Sequence, residues 1–206
     1  MEKLLAGKRM ELRMLDNLSK YKIILASNSP RRKELMTGLG IKYSVKTLPD
    51  IDESYPETLV GGEIPVYIAK GKADAYMHLI KPDQLIITAD TIVWLDGKVL
   101  GKPQDMDEAR EMLRSLSGKT HQVYTGVCLT TKTFQRSFSS VSDVTFATLT
   151  DEEIDYYVDL YLPMDKAGAY GVQEWIGYIG VENITGSYFN VMGLPIQRLY
   201  RELKTL

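Results

Sequence analysis

Early in the chain one change of character limits everything that follows. An apolar run over residues 22–27 stops at Ser27-Asn28-Ser29-Pro30 and gives way at once to a helical pattern over residues 31–39. So short and apolar a run suits a buried strand. Pro30 stands where a helix tolerates it, in the first turn, and Gly38 and Gly40 close the far end. A buried strand feeding directly into a helix opens a layered α/β arrangement, and the rest of the chain keeps up the alternation.

A second strand is predicted over residues 42–47, followed by an acidic, Pro-containing loop over 49–56. A helix is predicted over 64–79, with Ile68, Ala75 and Leu79 on one apolar face. Residues 84–88 form the next strand, which leads through Ala89-Asp90-Thr91 into residues 92–95. Asp96-Gly97 is a hairpin turn before residues 98–100. Asp105 with Glu108, and Thr150 with Glu153, have the spacing of helix-capping pairs and open helices over 105–116 and 150–160. Strands are predicted over 121–130 and 134–148, loops and short strands over 166–186, and a last helix over 194–203. Without repeats or linker-like shifts, the expectation is an α/β fold. It consists of one mixed-sheet domain over residues 22–206, preceded by a short helical extension over 1–21.

Composition narrows the class. Of 206 residues, 44% are hydrophobic and 25% charged, as in a soluble globular protein, and the formal charge of -2 gives no basic field for nucleic acid. The single cysteine, Cys128, excludes an intramolecular disulfide and Cys-rich zinc sites, and its apolar neighbours mark it as a buried, inert thiol. His78 and His121 are not spaced as metal ligands. With no long apolar run and no export signal, a cytoplasmic protein is expected, without membrane or nucleic-acid partners.

The chemistry-bearing positions fall in a few segments. Ser27-Asn28-Ser29-Pro30-Arg31-Arg32-Lys33 joins hydroxyls, a helix start with free N–H groups, and guanidinium forks that can grip an anion. Asp90 follows a buried strand, which would hold its carboxylate at the sheet edge, and a buried carboxylate needs a partner. Asp52 and Glu53 lie on the loop after the second strand. Two carboxylates can hold Mg²⁺ or Mn²⁺ through oxygen, and one can orient or deprotonate water. Lys70, Lys72 and Lys102 are either further cations for an anionic ligand or surface solubilisers. Gln173, in Tyr170-Gly171-Val172-Gln173-Glu174, carries a donor and an acceptor that could read a base edge, although a tight structural loop would look the same.

In order along the chain, Leu25-Ala26-Ser27-Asn28-Ser29-Pro30-Arg31-Arg32-Lys33-Glu34-Leu35, Ala89-Asp90-Thr91, Leu100-Gly101-Lys102-Pro103, Leu116-Ser117-Gly118-Lys119-Thr120-His121 and Asp165-Lys166-Ala167-Gly168-Ala169-Tyr170-Gly171-Val172-Gln173 resemble the motifs of the Maf family of nucleotide pyrophosphatases. Gly186-Ser187-Tyr188 and Met192-Gly193-Leu194-Pro195 complete the set. The resemblance implies an elongated fold with two lobes and a central cleft, similar to the inosine-triphosphate pyrophosphatases. It implies hydrolysis of a nucleoside triphosphate to the monophosphate and pyrophosphate with a divalent metal cation, Mg²⁺ or Mn²⁺. By position, Asp90 matches the proton acceptor and Glu53 a polar residue of the cleft; Glu53 and Asp90 are expected to hold the metal. Ser27, Arg32, Lys72 and Lys102 match substrate-binding residues. Arg31, Thr91 and Gln173 match specificity positions, with the identities of the dTTP/UTP subgroup. A homodimer would fit the family.

Glu174 departs from the pattern, standing where relatives often have glycine; it either alters the base pocket or faces solvent. Alternatives remain: a related enzyme for CTP or 7-methyl-GTP, a non-hydrolysing nucleotide-binding regulator of division, or an aspartyl-phosphate phosphatase. The last lacks the usual second aspartate, because Ile92 stands there.

Overall fold

A computed structural model describes residues 13–206. The expected extension over 1–21 therefore lies partly outside the described residues. Within them, Arg13–Leu18 forms 3-10 turns that bury Leu15 and Leu18 in the main core, and Asn17 donates to the Leu203 carbonyl at 2.8 Å.

Seven strands form one mixed sheet: β1 (Lys22–Leu25), β2 (Tyr43–Val45), β3 (Gln84–Leu95), β4 (Lys98–Leu100), β5 (Thr120–Thr130), β6 (Gln135–Phe146) and β7 (Val181–Thr185). Their order is β2-β1-β3-β5-β6-β7, with β4 also paired to β3. The β1 strand runs parallel to β2 and β3. Parallel neighbours need crossovers, and α1 (Pro30–Gly38) and α2 (Glu63–Asp74) provide them. From β3 onward the ladder is antiparallel and the connections are hairpins or longer returns. The remaining helices are α3 (Met106–Leu116), α4 (Asp151–Tyr161), α5 (Trp175–Gly180), α6 (Tyr188–Val191) and α7 (Ile196–Leu203). One mixed α/β domain is thus what the alternation of patterns predicted.

Alternation along β3 sets the two faces of the sheet. Ile87, Ala89, Val93 and Leu95 enter the main core with α3, α4 and α7, while Ile86 and Ile92 face the opposite side, toward Tyr76 and toward Ile64 and Ile68 of α2. The α2 helix lies very close to the sheet. A Cβ at Gly126 would come within 2.3 Å of the Pro65 carbonyl carbon and the Val66 nitrogen, so this crossing requires glycine.

The sequence reading differs from the structure in three places. The two strand pieces around Ala89-Asp90-Thr91 are one 12-residue strand, so Asp90 sits in mid-strand opposite Gly126 rather than at a strand end. The helix predicted over 64–79 ends at Asp74 and continues as turns; its apolar face is Ile64, Ile68, Ala69 and Ala73, continued by Tyr76 and Ile80, whereas Leu79 is exposed. Two short helices, α5 and α6, occupy stretches where none was predicted.

Candidate active site

The β1 strand stops pairing with β3 at Leu25 opposite Ile87, and along β3 the pairing with β4 starts only at Val93, opposite Leu100. Between these points one edge of β3 has no strand beside it. Backbone groups there need other partners, and Arg32 supplies one for the Ala89 carbonyl. From the first turn of α1, its Nη1 donates to the Ala89 carbonyl at 2.9 Å and its Nη2 to Thr91 Oγ1 at 3.1 Å. Its Nε donates to the Gly193 carbonyl at 2.8 Å, and Nη1 also reaches Ser27 Oγ at 3.4 Å. Burial, with some help from the Arg31 charge, lowers the Arg32 pKa, and the nearby Asp90 and Glu53 carboxylates offset that only in part. Ser29 caps the helix by accepting from the Arg32 backbone N–H at 3.4 Å.

A cavity of about 850 Å³ opens around this bare strand edge. Ser27, Arg31, Arg32, Glu53, Lys72, Asp90, Thr91, Lys102 and Gln173 all line it, so the structure brings together every residue singled out by the resemblance. They divide by strand face. On the α2 side, Lys72 Nζ contacts Asp90 Oδ1 at 2.8 Å and Glu53 Oε1 at 2.9 Å. Lys72 and Asp90 are largely buried, whereas Glu53 is half exposed. Burial works to raise the Glu53 pKa, but the Lys72 hydrogen bond and charge, aided by Lys102 and Arg32, hold it below the usual value. Asp52 is not part of this group: it is exposed and both its oxygens bond Ser54. Lys70 is exposed and does not line the cavity.

Neighbouring residues in a strand point to opposite faces, and Thr91 duly turns away from Asp90. Its hydroxyl meets Thr125 Oγ1 at 2.9 Å. On this second side stand Gln173 and Arg31, the latter paired with Asp165 at 3.2 Å. The Gln173 Oε1 is buried without a hydrogen-bond partner. An unpaired buried acceptor is costly, and this one belongs to a cavity-lining side chain. Glu174 does not face solvent, and it does not itself line the cavity. It turns back to accept a hydrogen bond from Tyr157 and pairs with Lys166 at 3.2 Å.

Several contributors carried little or no sequence signal. Thr125 and Tyr157 are ordinary residues of a strand and a helix, joined to the cavity walls only by tertiary packing. Asp165 and Lys166 lie within the motif over residues 165–173, and neither residue type by itself points to a role there. The two histidines have none in the cavity: His78 is exposed, and His121 is buried against Tyr170. Cys128 is buried, as expected, and burial raises its pKa.

A divalent cation suits the donor set in one way only. Among the described residues no three or more His, Cys, Asp or Glu side chains converge, which excludes a closed protein cage there. Glu53 and Asp90, brought to one ammonium, match an ion held by two carboxylates and completed by ligand oxygens.

Curated relatives are closely similar to the chain. It is 72% identical to the dTTP/UTP pyrophosphatase of Phocaeicola vulgatus, covering 94% of this chain and 100% of that protein. Identity is 60% with the protein of the same name from Parabacteroides distasonis, over 93% of this chain and 99% of the relative. A solved HAM1 protein from Coxiella burnetii aligns with a TM-score of 0.49 and 16% identity, over 90% of this chain and 100% of its own. The Maf-like protein family matches residues 22–206, and the chain belongs to that family.

Proposed function

We propose that this protein hydrolyses nucleoside triphosphates, with dTTP and UTP preferred, to the monophosphate and pyrophosphate. The observation that carries the reading is the pair of carboxylates held on one ammonium at the bare edge of β3. The names of the close relatives support the substrate.

In this reading the Asp90 Oδ1 is taken by Lys72, which leaves Oδ2 to accept a proton from the water attacking the α-phosphorus. Ser27, Lys72 and Lys102 bind phosphate oxygens and offset the charge that moves onto departing pyrophosphate. Arg32 adds charge and the one Nη2–H not used in bracing the strand. Glu53 and Asp90 would hold a divalent ion, Mg²⁺ or Mn²⁺; such an ion supplies positive charge that draws the triphosphate and its water together.

Base selection falls to the other face. Thymine and uracil present an N3–H donor beside a carbonyl, and the Gln173 amide carries the matching acceptor and donor, its buried, unpaired Oε1 turning to the base on binding. Cytosine presents a bare N3 at that place and meets the acceptor unfavourably. Arg31 and Thr91 complete this wall.

The test is a panel of common and methylated triphosphates with Mg²⁺, with pyrophosphate and orthophosphate measured separately. Pyrophosphate release, fastest from dTTP and UTP, is expected. Preference for CTP or 7-methyl-GTP would overturn the base assignment, orthophosphate release would favour an aspartyl-phosphate phosphatase, and binding without turnover would favour a regulator.

A further inference from the structure

We infer that Glu174 is a positioning residue for base selection, holding through Tyr157 the turn that presents Gln173 to the cavity. The inference rests on the base-reading role proposed for Gln173.

The turn runs from Gly171 to Glu174 and is closed by a hydrogen bond from the Glu174 N–H to the Gly171 carbonyl at 2.9 Å. A second closure comes from outside it. The Tyr157 hydroxyl, projecting from α4, accepts the Gly171 N–H at 3.0 Å and donates to Glu174 Oε2. One buried phenol thus ties both ends of the turn. The carboxylate folds so closely over Gly171 that a Cβ there would lie 2.7 Å from Glu174 Cδ and 3.1 Å from Gln173 Nε2. The carboxylate and the Gln173 amide thus crowd the same space over Gly171, so a shift of the carboxylate frees room into which the amide can turn.

Charge extends the hold to the rest of the base-side wall. Glu174 Oε1 pairs with Lys166 Nζ at 3.2 Å, and Lys166 pairs with Asp165 Oδ1 at 2.7 Å. Asp165 Oδ2 then reaches Arg31 Nη1 at 3.2 Å. Lys166 is nearly inaccessible, with 8% of its side chain exposed. A cation so buried requires its partners, so losing Glu174 loads Lys166 onto Asp165 and disturbs the hold on Arg31. The network touches neither Glu53 nor Asp90. It should govern which base is accepted and leave the chemical step alone.

The full-length protein is assayed with Mg²⁺ and either dTTP or CTP, measuring kcat and KM by pyrophosphate release, with melting followed by circular dichroism. Glu174→Ala is expected to raise KM for dTTP about tenfold, to keep kcat within about twofold, and to narrow the dTTP-over-CTP ratio of kcat/KM about tenfold. Glu174→Gln keeps an acceptor for Tyr157 but not the charge that pairs with Lys166, so it should restore only part of that ratio. Tyr157→Phe should narrow it as Glu174→Ala does, and it decides the matter if Glu174→Ala does not fold. Selective wild-type protein whose ratio is unchanged in both variants overturns the inference alone. So does an equal loss of kcat for both triphosphates, which marks a merely structural role. Wild-type protein that does not discriminate dTTP from CTP overturns the base-reading proposal and this inference with it.

Discussion

Lys72 is the residue on which the phosphate side turns, because a single ammonium sits within 3 Å of two carboxylates that would otherwise repel each other. Substituting Lys72→Met removes the group that holds the Glu53 pKa below its usual value. Glu53 then protonates at a higher pH, and the acid limb of the pH–rate profile should move upward; a limb that stays in place argues against this coupling. Asp90→Asn keeps the shape of the side chain but cannot take a proton. A general base contributes about 10²–10⁴ in rate, so kcat should fall by at least about 10²-fold while nucleotide binding, followed by titration calorimetry, persists. Near-normal turnover would remove Asp90 from its proposed role. Both residues were legible in the sequence, Asp90 by its place after an apolar run and Lys72 as one of several candidate cations, set apart from Lys70 by the resemblance. Their pairing was not legible, because 18 positions and a crossover separate them and nothing local encodes that contact.

Elements were readable where a period or a cap announced them. The α3 and α4 helices begin at Asp105 and Thr150, whose side chains accept from Glu108 and Glu153 as the spacing predicted. The α5 and α6 helices went unread because six and four residues are too few for a period to register, and Gly177 and Gly180 imitate a loop. At the start of β5, His121 is fully buried, bonds Tyr170 at 2.8 Å and packs edge-on against Phe146. Burial pushes its pKa from 6.5 down to about 4. In that interval the unfolded chain binds a proton that the folded one does not, so stability falls as pH falls from about 6.5 to about 4. The loss is on the order of 3 kcal/mol across the interval. His121→Phe should flatten this part of the dependence of the urea midpoint on pH, even if stability at neutral pH drops through the lost Tyr170 bond. An unaltered slope would show that other groups set it.

Across the whole molecule, α2 is both a layer of the core and the carrier of Lys72, and its closeness to the sheet links stability to the site. Gly126→Ala would force a Cβ into the α2 backbone at 2.3 Å, a contact with nothing flexible to yield. Overpacking of this kind commonly costs about 1–3 kcal/mol, sometimes more. The urea midpoint should fall accordingly, and protein that still folds should lose activity because Lys72 is lifted away from Asp90. Normal activity at reduced stability would uncouple the two. Alternation predicted the mixed α/β class. The gap between β1 and β4 depends on strand register, which no single segment specifies, and that gap is what makes an open cavity out of a 12-residue strand.

Asp90 and Thr91 are chain neighbours that face opposite ways from one strand, and this has a consequence for descent with modification. A duplicated copy of such a chain can drift along the wall over residues 165–174 while the Asp90 face is inherited unchanged; Thr91 is less free to change, because its hydroxyl also accepts from Arg32. New substrate preferences then arise without passing through an inactive ancestor. A strand edge left bare thus lets one wall of the cavity vary with little effect on the other.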